Sequence, residues 1–224
     1  MTETGAPAPG PHQGQPVLRA GEPLDRAVGA LILVHGRGAT ARSILSLADE
    51  LAQPGLAYLA PQAAGNTWYP YSFLAPIASN EPYLSSALAA IHELFDGLAQ
   101  AGISADRTML LGFSQGACLA LEFVARHARR YAGVAGLSGG LIGPDDTPRA
   151  YTGSLAGTPV FLGCSDVDPH IPKARVLHSA EVLQELGGDV TTRLYPGMGH
   201  TVNQGELDFV RGLAAAIVRG YPLS

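Results

Sequence analysis

The sequence predicts an α/β protein built on a mostly parallel, doubly wound sheet. Three observations carry this. Short apolar runs alternate along the chain with stretches of helical periodicity, the β-α order of such sheets. The apolar runs are continuous rather than alternating, as strands covered on both faces must be. The chain has 224 residues, 46% of them hydrophobic and 15% charged, enough for one sizeable domain with a core of its own.

The elements follow in order. Residues 1–16 hold four prolines and three glycines. They predict a flexible N-terminal arm, with 17–224 as a single domain. A short strand and turn fit Pro16 to Leu24, and Ala30 to Val34 is the first buried strand. It ends in His35-Gly36-Arg37-Gly38, a turn whose backbone N–H groups can approach a ligand closely. No Gly-Lys-Ser/Thr follows, so this is not a phosphate loop. A helix fits Ala41 to Ala52 and a strand fits Leu56 to Ala60.

The long loop from Pro61 to Asn80 carries Trp68, Tyr69, Tyr71 and Phe73, four of the 15 aromatic residues. Loops of this length usually serve function, and these four are read as a wall of a substrate pocket. The same residues would also suit a small apolar cluster that pins the loop. Leu84, Leu88, Ile91, Phe95 and Leu98 give a helix over 82–100 one buried face. A strand at Met109 to Gly112 leads to a helix ending near Arg130. Strands are expected at Tyr131 to Leu137, Thr158 to Gly163 and Asp189 to Tyr195. Helices are expected at Lys173 to Leu186 and Gly205 to Val218.

Gly112-Phe113-Ser114-Gln115-Gly116 lies between a predicted strand and a predicted helix. G-x-S-x-G there is the pattern of a nucleophile elbow, in which crowding around a sharp turn excludes side chains at the two glycines. Alone, the pentapeptide also suits a buried serine in an ordinary βα turn. The rest of the chain separates the two readings. A serine nucleophile needs a base and a carboxylate to orient it. Both appear at later strand ends, as Asp168 and His200, in the order Ser, Asp, His.

The remaining histidines fit worse. His12 is in the arm, and His92, His127 and His178 lie inside predicted helices. His35 braces the glycine turn, and His170 is a rim residue beside Asp168. Between Asp166 and Asp168 the second is preferred, because Pro169 pushes it out of the helical region. The expected fold is thus an α/β-hydrolase fold. Only 19 residues separate Ser138 from Thr158, where such folds often insert helices, so no large cap domain is expected.

The stretches LVHGRGAT, LGFSQGACLAL, DPHIP and YPGMGHTVNQGEL resemble the phospholipase/carboxylesterase family, which includes bacterial carboxylesterases and acyl-protein thioesterases. The resemblance runs over nearly the whole chain after residue 16. It implies Ser114 as nucleophile, Asp168 as acid and His200 as base. It also implies the backbone N–H groups of Arg37 and Gln115 as the oxyanion hole. Arg37 stands where the thioesterase branch often has an apolar residue. The 68–73 stretch is aromatic rather than aliphatic. Both features look like an esterase branch acting on smaller esters.

The expected function is a serine carboxylesterase for short- to medium-chain or aromatic esters. An acyl-protein thioesterase or lysophospholipase is the second reading, and a non-catalytic ligand-binding hydrolase fold the third. The net charge of −5 and the lack of a basic cluster argue against nucleic acid and anionic membrane as partners. The expected partner is a small-molecule ester; oligomeric state stays open, a homodimer included. Cys118 and Cys164 form no C-x-x-C pair, and nothing supports a disulfide between them. No cofactor or metal is expected. No signal peptide or apolar run of membrane-spanning length is seen, so a cytoplasmic location is expected.

Overall fold

A computed structural model describes residues 10–220. Its seven strands are β1 (Val17–Gly21), β2 (Gly29–Val34), β3 (Leu56–Pro61), β4 (Thr108–Phe113), β5 (Gly133–Leu137), β6 (Pro159–Ser165) and β7 (Asp189–Tyr195). They form one sheet in the order β1-β3-β2-β4-β5-β6-β7. Only β1 runs antiparallel, against β3; the other pairings are parallel. The mostly parallel sheet is therefore as expected, and the C-terminal ends of β2, β4, β6 and β7 share one edge, where ligands of such sheets bind.

Helices cover both faces. They are α1 (Ala41–Leu45), α2 (Leu47–Glu50), α3 (Tyr83–Gln100), α4 (Gln115–Arg126), α5 (Lys173–Glu185) and α6 (Gln204–Arg219). The pleat of β2 sorts the core between them. Ala30, Ile32 and Val34 pack on one face with residues of α3, α4 and α5. Leu31 and Leu33 pack on the other with residues of α1 and α6. All five are fully buried, which explains the unbroken apolar run.

Three expectations change. The single helix expected over 41–52 is two short ones meeting at Ser46. The helix after Ser114 stops at Arg126 instead of near Arg130. The chain is drawn off there as Tyr131 N–H donates to Thr158 Oγ1, and the Tyr131 hydroxyl returns to the His127 carbonyl. The third concerns the expected flexible arm. Residues 1–9 of it lie outside the described residues, but 10–16 are docked. His12 is 3% exposed. Its Nδ1 accepts from Ala64 N–H at 3.1 Å, so Nε2 carries the proton and donates to the Trp68 carbonyl at 2.9 Å. Prolines and glycines deny this segment a core of its own. A single imidazole nevertheless satisfies two backbone groups of the 61–80 loop.

The connection from β5 to β6 contains no helix and only an isolated bridge at Gly153, so no large cap covers the sheet edge. Two buried charges hold it down. Glu122 of α4 accepts from Ile142 N–H and the Tyr151 hydroxyl, both at 3.0 Å, and pairs with Arg126 at 2.7 Å. Arg175 of α5 donates to the Leu141 and Gly143 carbonyls and pairs with Asp145. Among the described residues, no helix is long and apolar enough to cross a membrane.

Candidate active site

Ser114 is the N-cap of α4, with φ 55° and ψ −120°. No ordinary L-residue region includes that pair, and such strain persists only where the surroundings enforce it. Here Ser114 N–H donates to the Leu137 carbonyl at 2.9 Å, tying the turn to the end of β5. The flanking glycines are needed for a reason more specific than a crowded turn. A Cβ at Gly112 would overlap the Gly116 carbonyl, and one at Gly116 would overlap the Val34 and His35 carbonyls of the neighbouring strand end.

The three side chains named from the sequence are brought together. His200 Nε2 lies 2.8 Å from Ser114 Oγ, and His200 Nδ1 lies 2.7 Å from Asp168 Oδ2. Asp168 Oδ1 accepts from the N–H groups of His170 (2.8 Å) and Ile171 (3.0 Å), which fixes the carboxylate plane. Burial alone would raise the Asp168 carboxyl. The His200 ring and the two N–H groups outweigh it and hold the carboxyl below its ordinary value. The loop bearing His200 turns through Gly197 (φ 66°) and Gly199 (φ 77°), left-handed positions that glycine fills without strain.

Asp166 has a different task. Its Oδ1 accepts from Gly197 N–H at 2.8 Å, while Ser165 Oγ accepts from Gly199 N–H at 3.1 Å. The end of β6 thus supplies one carboxylate that meets the imidazole and two groups that brace the loop carrying it. The His200 ring is flanked by Phe113 and His170, with centroids 5.1 and 4.8 Å away.

The turn after β2 lies against the serine: a Cβ at Gly36 would sit 3.3 Å from Ser114 Cβ. His35 braces this turn, accepting from Ala63 N–H at 3.1 Å while Nδ1 bonds the Gly36 carbonyl. Neither Arg37 N–H nor Gln115 N–H has a protein acceptor among the described residues. The latter begins α4, whose dipole favours negative charge there. Two free N–H groups beside a serine hydroxyl are the donors that an oxyanion formed there would require.

The side chains of these same two residues hold the aromatic loop, which the sequence reading missed. Gln115 accepts from Trp68 N–H and the Thr67 hydroxyl and donates to the Tyr69 carbonyl. Arg37 donates to the Thr67 hydroxyl and to the Pro70 and Tyr71 carbonyls. A cavity of about 600 Å³ results, and Tyr69, Tyr71 and Phe73 line it together with Ser114, Cys118 and His200. Trp68 does not line it, a correction to the expected wall. It is fully buried behind the loop, where its indole N–H donates to the His35 carbonyl at 2.8 Å. Indole is large and has one donor, so it seats where a single buried acceptor is available. Among the described residues, no group of three or more His, Cys, Asp or Glu side chains is placed to hold a metal ion. Cys118 and Cys164 are both free, and burial pushes each thiol up to about 12.

Glu206 is a further group the sequence reading passed over, although Asn203-x-x-Glu206 has the spacing of a capping box. Its Oε2 accepts from Asn203 N–H at 2.9 Å and Asn203 caps in return. Its Oε1 has no partner among the described residues and faces the space left by Gly163. Burial pushes this carboxyl up to about 7. Because the folded value lies above the unfolded one, ionisation opposes folding, and stability falls as pH rises from about 4.5 through 7. Glu206→Gln keeps an acceptor for Asn203 and removes the charge. It is expected to raise Tm at pH 8 by a few degrees, roughly the effect of 1 kcal/mol in a chain of this size, and to change it little at pH 4.5. Melting curves at both pH values test this; a larger gain at the lower pH would contradict it.

A family model described as phospholipase/carboxylesterase matches residues 18–215. A crystal structure of a phospholipase/carboxylesterase from Dyadobacter fermentans superposes with a TM-score of 0.86 at 41% identity, covering 89% of this chain and 96% of that one. Acyl-protein thioesterase 1 of Gibberella zeae is 35% identical over 128 residues, 53% of this chain and 52% of its own length. The match therefore spans about half of that relative. Acyl-protein thioesterase 1 of Debaryomyces hansenii is 27% identical over 216 residues, 86% of this chain and 92% of that protein.

Proposed function

The chain belongs to the phospholipase/carboxylesterase family of serine hydrolases, and from that premise we propose that it hydrolyses short- to medium-chain or aromatic carboxylic esters through an acyl-enzyme. The observation that carries this is the unbroken set of hydrogen bonds from Asp168 through His200 to Ser114, 2.7 and 2.8 Å long. In the proposed cycle Ser114 Oγ attacks the ester carbonyl carbon and His200 Nε2 takes its proton. The oxyanion is held by the N–H groups of Arg37 and Gln115. The C–O bond to the alcohol breaks, and His200 returns the proton to the leaving oxygen. Water then attacks the acyl-enzyme, with His200 again as base, and releases the acid. Labelling by a fluorophosphonate probe tests the assignment. Adduct at Ser114 is expected; an unlabelled serine in folded protein would favour a ligand-binding role.

The cavity supports a chain-length preference. About 600 Å³ accommodates a small ester, and with no large cap a long acyl chain runs out into solvent. Each CH₂ left in water forgoes about 0.8 kcal/mol. Across p-nitrophenyl esters, kcat/KM is expected to rise and then level before the long-chain members. Steady gains out to palmitate would favour the thioesterase or lysophospholipase reading, which the names of the fungal relatives support.

A further inference from the structure

The Arg37 side chain does more than its loop-fastening bonds require. It is exposed and lines the cavity beside Ser114 and His200. Three hydrogen bonds fix it. Both N–H groups of Nη1 are used, on Thr67 Oγ1 (3.0 Å) and the Pro70 carbonyl (2.9 Å), and one N–H of Nη2 is used on the Tyr71 carbonyl (2.6 Å). All three acceptors are neutral. Among the described residues no carboxylate pairs with Arg37, and its Nε–H and second Nη2–H have no protein acceptor. Nε and Nη2 share one edge of the guanidinium, an edge whose donors have the spacing to bind a carboxylate in two parallel bonds.

The surroundings favour an anion. The residues lining the cavity include Arg37, His170 and His200 but no Asp or Glu, in a chain whose net charge is −5. The Asp168 carboxylate behind His200 has no exposed side-chain surface and is bonded to the His200 ring. A cation already held in place loses little side-chain freedom when a ligand arrives, which is the condition for a charged contact to add affinity. The buried Arg175 and the half-buried Arg126 are neutralised by acidic partners; Arg37, at the mouth of the cavity, has none among the described residues.

We propose that Arg37 is a specificity-determining residue and that the substrates of this site are esters carrying a second, free carboxylate, such as monoesters of dicarboxylic acids or esters of hydroxybenzoates. The inference rests on the esterase reading of Ser114. The carboxylate sits on the acyl or the alcohol part, and two matched ester pairs distinguish these. Mono-p-nitrophenyl glutarate against p-nitrophenyl pentanoate places the charge on the acyl side. 4-Acetoxybenzoate against phenyl acetate places it on the alcohol side.

The charged member of one pair is expected to have the higher kcat/KM by about tenfold or more, the range of a charge-assisted hydrogen bond. The preference should lie mainly in KM and shrink as salt is raised. Because Arg37 N–H is assigned to the oxyanion hole and its side chain holds the loop, the readout in variants is the charged-to-neutral ratio and not absolute turnover. Arg37→Gln should bring that ratio to one or below, and Arg37→Lys should keep part of it. Turnover of all four esters with no charged preference, or a preference that survives Arg37→Gln, overturns this inference alone. No turnover of any ester together with an unlabelled Ser114 overturns the esterase reading, and this inference with it.

Discussion

Ser114→Ala is expected to lower kcat for ester hydrolysis by about 10⁶, the loss found when a nucleophile of this kind is removed. The structure explains why little can compensate. Among the described residues the hydroxyl is the one protein group bonded to His200 Nε2, so without it the proposed base has no side-chain proton to take. Water in its place would lack the positioning that the strained turn provides. The fold should survive the change. Alanine meets the same φ of 55° as serine, so the strain is unaltered, and the Ser114 N–H bond to Leu137 is retained. Equal melting temperatures with a lost rate would therefore assign the effect to chemistry. Activity within roughly tenfold of the parent would remove Ser114 from the mechanism.

The second large effect separates two carboxylates two residues apart. Asp168→Asn is expected to lower kcat by about 10⁴, as in a comparable triad whose histidine is stranded in the wrong tautomer. The hydrogen bonds here say how that happens. The N–H groups of His170 and Ile171 both donate to Oδ1, so an asparagine must place its carbonyl oxygen there. Its NH₂ then faces His200 Nδ1, which has to accept. The ring proton moves to Nε2 and points at Ser114, where it blocks proton abstraction. Asp166→Asn has no such consequence. Among the described residues only Gly197 N–H donates to it, and an amide oxygen can take that bond. A loss below about tenfold is expected. Measuring kcat for both purified variants decides, and the reverse ranking would mean that Asp166 is the orienting acid.

The elements most legible in the sequence are those with local causes. β2 reads as a buried strand because every side chain from Ala30 to Val34 meets a helix on one face or the other. Ser114 reads as an elbow because glycine at 112 and 116 is a steric requirement, and a requirement of that kind leaves the same pattern wherever it arises. The end of α4 was less legible. Arg126 to Arg130 has ordinary helical propensity, and the helix stops where Thr158, 27 residues beyond Tyr131, claims the Tyr131 N–H.

What the sequence by itself determined is the order of strands and helices, the sharp strand-to-helix turn at Ser114, and which Asp and His close strands on its side of the sheet. These follow from periodicity, from glycine's lack of a side chain and from the parallel sense of the β-α repeat. Only the tertiary structure decided which aromatics form the pocket, that His12 docks, and that Arg37 and Gln115 grip the loop. Trp68 and Tyr69 are adjacent and similar in hydropathy, yet one is buried behind the wall and the other lines it. The physical reason is that the partners of the loop lie far away in the chain: His35 for Trp68, Gln115 for both, and His12 against residues 64 and 68. A hydrogen bond between segments so far apart leaves no period in the sequence, because neither segment needs a particular local pattern to make it.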